Sequence, residues 1–373
     1  MHFNEFQLDS KIQAGITACG YSQPTTVQEK TIPAALQGRD IMSLAQTGTG
    51  KSAAFVLPIL QSLLQGRRGK VRSLVLSPTR ELAEQTLEFF QALGKNTGLR
   101  GVSVYGGVSK FQQVKRLRSG MDIVVACPGR LLDILGDRAL NLSSIETLVL
   151  DEADRMLDMG FMPDIRSILK LLPKQRQNML FSATMPRDIH SLAAEVLNDP
   201  LQIEVDHEQP LQAIDQCLYP VQGKSKTKML ISLLQAKKEE TTLVFTRTKH
   251  MATKLAKLLS ASGLSAKDLQ GNMSQNNRRH VLQGFKKGSF NVLVATDVAS
   301  RGLDVSRIGH VINFDMPDTP EAYTHRIGRT GRAASSGLAS TFVEAKDQGM
   351  IRAIERMQAK RIQRRSIPSL QTA

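Results

Sequence analysis

The run Ala45-Gln46-Thr47-Gly48-Thr49-Gly50-Lys51-Ser52 holds the most specific chemistry in the chain. Its glycines let backbone N–H groups turn toward an anion, and a lysine and a hydroxyl follow directly. This is the pattern of a P-loop, with Lys51 on the β- and γ-phosphates and Ser52 on Mg²⁺. Ala45 stands where the general pattern has its first glycine, which is compatible with a negative φ. A P-loop needs an acid at the end of a neighbouring strand. Leu148-Val149-Leu150 runs into Asp151-Glu152-Ala153-Asp154. Asp151 is suited to hold Mg²⁺, through water, and Glu152 to polarise an attacking water. Together the two features predict nucleoside triphosphate hydrolysis.

Such chemistry requires strands that end, and helices that begin, at the phosphate. Short apolar runs at residues 40–45, 73–77, 102–105, 122–126, 147–150 and 178–181 predict strands. Several are apolar nearly throughout, as strands buried on both faces are. Amphipathic stretches at 52–64, 80–93 and 161–171 predict helices between them. The polar stretch 206–215, with Pro210, breaks the rhythm and is expected to be a linker. Strands at 242–246, 292–295 and 310–314 and helices at 249–259 and 276–285 then resume it. The expected fold is α/β, with two parallel-sheet domains at residues 1–205 and 216–345. Residues 346–373, with seven basic residues against two acids, are expected to form a basic tail with a helix at 350–357 and a frayed end.

Composition narrows the partners. The 373 residues are 41% hydrophobic and 22% charged, which excludes wholesale disorder. A net charge of +15 points to a polyanion, either nucleic acid or an acidic membrane surface. No apolar run approaches the roughly 18 residues of a membrane span. Cys19, Cys127 and Cys217 fit neither a zinc spacing nor a disulfide framework, so a reducing compartment is expected. The first residues carry acids and no apolar core, so no secretory signal is expected and a cytoplasmic location is.

Asp151-Glu152-Ala153-Asp154 spells D-E-A-D, and with the motifs that follow the chain resembles the DEAD-box ATP-dependent RNA helicases, from Phe3 to about Phe342. Phe3 with Gly20-Tyr21-Ser22-Gln23-Pro24-Thr25-Thr26-Val27-Gln28 is similar to the family's Q motif. The resemblance implies Gln28 on the adenine edge, Tyr21 against the base, and a preference for ATP. Pro78-Thr79-Arg80-Glu81-Leu82-Ala83, Gly106-Gly107 and Cys127-Pro128-Gly129-Arg130 match RNA-contacting motifs; Cys127 replaces the usual threonine. Arg80 and Arg130 either add charge there or brace the loops. Ser182-Ala183-Thr184 is the motif that couples hydrolysis to duplex opening, by hydrogen bonds toward Asp154 and its neighbours.

In the second half, Phe245-Thr246-Arg247-Thr248, Gln275-Asn276-Asn277-Arg278 and the run from Ala295 to Asp304 match further motifs. They imply RNA contacts from Thr246, Arg278 and Thr296, and Asp304 near the ribose. His325-Arg326-Ile327-Gly328-Arg329-Thr330-Gly331-Arg332 is the sixth motif. It implies Arg329 and Arg332 as arginine fingers on the γ-phosphate, with Arg326 bracing the motif against the first domain. The resemblance thus implies two RecA-like domains with a short linker, ATP and Mg²⁺ as cofactors, and non-processive local unwinding of RNA held largely by its backbone. It is nearest to compact bacterial RhlE-type members, which implies a monomer acting on ribosomal precursors or with RNA-turnover machinery. A DNA helicase on the same frame and an ATP-gated RNA clamp are the rival readings. With 5% aromatics and no tryptophan, base stacking is not expected.

Overall fold

Leu148, Val149 and Leu150 alternate between two apolar layers and are all buried, so the strand that carries them needs helices on both faces. The computed structural model provides them. It describes residues 1–45, 48–204, 214–221, 226–237, 239–297, 308–331 and 337–366. The chain divides into two units, Met1–His207 and Glu208–Ala373.

In the first unit seven strands form one parallel sheet: β1 Ile41–Leu44, β2 Ser73–Leu76, β3 Gly101–Val104, β4 Ile123–Ala126, β5 Thr147–Asp151, β6 Gln177–Ser182 and β7 Leu201–Glu204. Their order is β3-β4-β2-β5-β6-β1-β7. Helices α1 Ser10–Ala18, α2 Thr26–Leu36, α3 Lys51–Leu63, α4 Arg80–Leu93, α5 Lys110–Arg118, α6 Pro128–Gly136, α7 Ala153–Asp158, α8 Met162–Leu169 and α9 Arg187–Val196 accompany it. One apolar layer holds Phe55, Val149 and Phe181. The opposite layer holds Leu74, Leu148, Leu150 and Ile165. Helix α3 is buried around most of its circumference, which explains its near-continuous apolar sequence.

The second unit has β8 Ile214–Pro220, β9 Thr242–Phe245, β10 Ala266–Leu269, β11 Val292–Ala295, β12 His310–Asn313, β13 Gly337–Val343 and β14 Gln363–Arg364. They too form a parallel sheet, in the order β10-β11-β9-β12-β13-β8-β14. Counted from its own first strand, this order repeats that of the first unit. Among the described residues its helices are α10 Lys226–Ala236, α11 Lys249–Ala261, α12 Gln275–Lys286, α13 Pro320–Ile327 and α14 Gln348–Met357.

Two expectations change. Ile214 and Asp215, expected in the linker, are the first residues of β8, and Ile214 is buried opposite Gly337. The expected basic tail is not a free segment from its start. Helix α14 buries Ile351 and Ile354, and β14 pairs with Cys217 and Leu218. Arg365, within the supposed frayed end, donates its backbone N–H to Leu218 O and pairs with Asp215. No helix among the described residues is long and apolar enough to cross a membrane.

Candidate functional site

The P-loop follows β1 and opens α3. Gly48 and Gly50 have φ of 94° and 91°, a left-handed backbone that glycine adopts without strain. At Gly50 space enforces the same choice: a Cβ there would lie 2.5 Å from Gln28 Nε2 and 2.9 Å from Thr25 Oγ1. Ala45 keeps a negative φ, as its methyl requires, and is fully buried. Lys51 is buried, its Nζ donating to Ala45 O at 2.8 Å. The start of α2 grips the loop from the side. Thr25 Oγ1 donates to Thr49 O at 2.8 Å, and Gln28 Nε2 donates to Gly50 O at 3.1 Å. Gln28 Oε1 accepts from Thr25 N at 3.0 Å, closing the helix cap.

Strand β5 delivers Asp151 fully into the interior, beside Glu152. Burial, and the adjacent Glu152 charge, push the Asp151 carboxyl up to about 7, while Lys51 and Arg155 pull it down. Glu152 sits at φ 53°, a left-handed turn between strand and helix that sets its side chain apart from the run of β5. Its Oε2 pairs with Arg155 Nη1 at 2.5 Å, with both side chains buried. Asp154 Oδ2 accepts from Ala183 N, Thr184 N and Thr184 Oγ1 at 3.2, 3.0 and 3.1 Å. Ser182 Oγ accepts from Asp154 N at 3.2 Å and donates to Thr184 O at 2.7 Å. The end of β6 is therefore tied to the first turn of α7, three residues from Asp151.

Along the same end of the sheet, Thr79 caps α4 and Arg80 follows it. The Arg80 guanidinium lies over the Gly106-Gly107 turn: a Cβ on Gly107, at φ 79°, would fall 2.2 Å from Arg80 Nη1. Arg130 Nη1 donates to Val108 O at 3.1 Å and its Nε pairs with Asp133 at 3.3 Å. Cys127, Pro128 and Gly129 form the start of α6, with the Cys127 thiol pushed up to about 12 by burial. Pro78 is buried under this rim. The turns after β2, β3 and β4 thus share one rim, where backbone N–H groups and helix starts suit phosphates.

The sequence matches the DEAD/DEAH box helicase model over residues 25–192 and the helicase conserved C-terminal domain model over residues 225–334. The ATP-dependent RNA helicase CshA of Listeria monocytogenes is 44% identical over 368 residues, covering 98% of this chain and 71% of that protein. The chain belongs to the DEAD-box ATP-dependent RNA helicases. CshA of Bacillus subtilis is 40% identical over 372 residues, covering 100% of this chain and 75% of that one. Among solved structures, S. cerevisiae Dbp5 bound to RNA and ADP BeF3 is 30% identical with a TM-score of 0.89, over 99% of this chain and 96% of that one. Mss116 bound to ssRNA and UDP-BeF is 27% identical with a TM-score of 0.89, over 98% of this chain and 79% of that one. The two bacterial relatives carry the CshA name, and the RhlE-type affinity expected from the sequence gains no support from them.

Within this DEAD-box frame several side chains sit differently from expectation. Phe3 is buried edge-on against Phe6 and Tyr21, so it supports Tyr21 and presents no face to a base. One donor and one acceptor of the Gln28 amide are committed to the P-loop and the α2 cap. Thr246 is fully buried and donates to Thr248 O at 3.3 Å, which makes it a brace of the turn after β9. Arg326 lies inside the second unit. It forks onto Asp297 with two 2.6 Å bonds, reaches Asn313 Oδ1 and Asp315 O, and covers the Phe245 ring at 5.0 Å. Within the second unit it ties β12 to the turns that follow β11 and β12. Arg278 and Thr296 are each largely buried, Arg278 donating to Gln270 O at 3.3 Å. Arg329 is buried just beyond the C-terminus of α13. Gln46, Thr47, Asp304 and Arg332 lie outside the described residues. Sequence reading missed Arg155, whose signal was its position three residues after Glu152 on a helix.

Proposed function

We propose that this helicase binds ATP on its first unit through Lys51, Ser52 and the clamped P-loop, and transmits hydrolysis to RNA through Asp154 and Ser182-Ala183-Thr184. The observation that carries the coupling role is the set of four hydrogen bonds between Asp154 and that loop. Any shift of the acidic turn on loss of the γ-phosphate is passed to the end of β6. Arg155 holds Glu152 in a fixed orientation, from which Glu152 orients the attacking water. Arg329 and Arg332 supply the second unit's charge to the terminal phosphate. RNA is held by its backbone on the rim formed by Arg80, Gly106, Gly107, Gly129 and Arg130, with Arg278 and Thr296 contributing from the second unit.

Mg²⁺ fits the donor set. Asp151 and Glu152 place two carboxylates side by side in the interior, where burial first and the neighbouring charge second raise the Asp151 carboxyl, so a cation there would be favourable. Mg²⁺ takes phosphate and water as most of its ligands, so few protein groups are needed. Asp151 and Ser52 would hold it, and it would neutralise charge on the phosphates. The proposal extends to a cytoplasmic monomer acting on RNA of ribosomal precursors or turnover intermediates, a partner class supported by the charge of +15.

The test is Glu152→Gln. Nucleotide and RNA binding should survive, hydrolysis should fall by about 10²- to 10⁴-fold as for loss of a general base, and RNA should dissociate more slowly in ATP. Equal RNA off-rates for wild type and variant in ATP would count against the reading. A wild type that holds RNA equally long in ATP and in a non-hydrolysable analogue would favour the clamp.

A further inference from the structure

The rim described above continues onto a surface that the catalytic cycle does not use. Helix α5 starts three residues beyond Gly107 and packs on the edge strand β3 through Gln113 and Leu117. Its outer face carries Phe111, which is 72% exposed and is the only aromatic among the large exposed apolar side chains of the described residues. Lys115 and Arg118 follow at i+4 and i+7, so the three share one face over about 10 Å of helix. Arg116 is exposed beside them. None of these three cations is in an ion pair among the described residues. At the far end of α5, Gly120 abuts Gly69, since a Cβ on Gly120 would lie 3.4 Å from Gly69 Cα. That approach brings exposed Arg67 and Lys70 to the same edge. No acid occurs in residues 52–80 or 89–121.

Lys110, at the start of α5, is paired with Asp133 and Asp137, so the free charge lies C-terminal to Phe111, along Lys115 and Arg118. An aromatic plane followed by a line of cations fits single-stranded RNA, with a base on the ring and phosphates on the charges. We propose that α5 is an auxiliary RNA track, on which Phe111 stacks a base of the strand leaving the Gly106-Gly107 turn and Lys115, Arg118, Arg67 and Lys70 follow its phosphates. The proposal rests on the RNA-helicase reading and adds to it a contact that senses the base, outside the backbone-read tract.

The experiment compares two single strands: one just long enough for full ATPase stimulation, and the same strand extended at either end. Wild type should bind the extended strand more tightly at one polarity. Phe111→Ala should remove that gain, by roughly 5- to 150-fold, the range of base–aromatic stacking. Phe111→Leu should lose as much, and Phe111→Trp should restore it. Lys115→Ser with Arg118→Ser should lower the salt slope for the extended strand by about 1.4, at about 0.7 per phosphate contact. Affinity for the short strand should stay at the wild-type value. Unchanged affinity for the extended strand in these variants, or equal losses on both strands, would overturn the track. Wild type that no RNA stimulates would overturn the helicase reading as well, so the two failures are distinguishable.

Discussion

Gln28 is buried near the start of α2. The resemblance implied an adenine contact for it, and the fold places it against the P-loop. Its amide, however, bonds to Gly50 O and Thr25 N, so it shapes the loop that receives the phosphates. Gln28→Leu should therefore weaken binding of ATP and GTP alike, by about 10-fold or more for the loss of one to two buried hydrogen bonds. Equilibrium binding of both nucleotides checks this; a loss confined to ATP would place the role at the base. The P-loop lysine and the acids were legible because their chemistry is local in sequence. Arg155 and the inward turn of Arg326 were not, because a buried arginine announces itself only through the partner that the fold brings to it. Arg326 found Asp297, 29 positions away.

At the scale of elements, most strands with an apolar run were legible, the edge strand β3 included, whereas β7, β10 and β14 at the other edges, and β13 inside its sheet, were not. A strand such as β5 is buried on both faces and reads as an apolar run. Strands β7, β10 and β14 lie at or beside sheet edges and carry Gln202, Glu204, Lys267, Asp268 and Arg364, which hide the pattern. Strand β8 was missed for another reason, since Asp215 and Gln216 resemble the polar stretch before it. Strand β12 carries a polar residue where none was expected to matter. His310 is fully buried, its Nε2 2.8 Å from Ser340 Oγ on β13, and burial holds its pKa down at about 3. Its Nδ1 has no hydrogen-bond partner among the described residues. Because the folded value lies below the unfolded one, the unfolded chain takes up the proton first, and stability present above about pH 6.5 is lost as pH falls. The second unit should lose about 1.5 kcal/mol between about pH 6.5 and about pH 5 from this group. Urea unfolding of wild type and His310→Val across that range measures it; equal slopes would show that His310 is not the source.

Across the whole molecule, the two units repeat one strand order although no short-period repeat is visible in the sequence. Strand order is set by which apolar runs pair, and that tolerates nearly any change of identity, so the repetition survives in topology and not in letters. In each sheet the seventh strand shields the first. In the second unit that shield is β14, two residues long, followed by Arg365 and preceded by Lys360 and Arg361. Without it β8 would present seven residues of open backbone, with Cys217 and Leu218 uncovered, as a template for a strand from another molecule. A brief, strongly positive strand repels its own kind and ends the ladder there. The charge around β14 is therefore expected to guard β8 against self-association. A chain ending at Lys360 should scatter light increasingly with concentration and sediment as a mixture, while wild type stays monodisperse. If the shortened chain also stays monodisperse at every concentration, β8 needs no such guard.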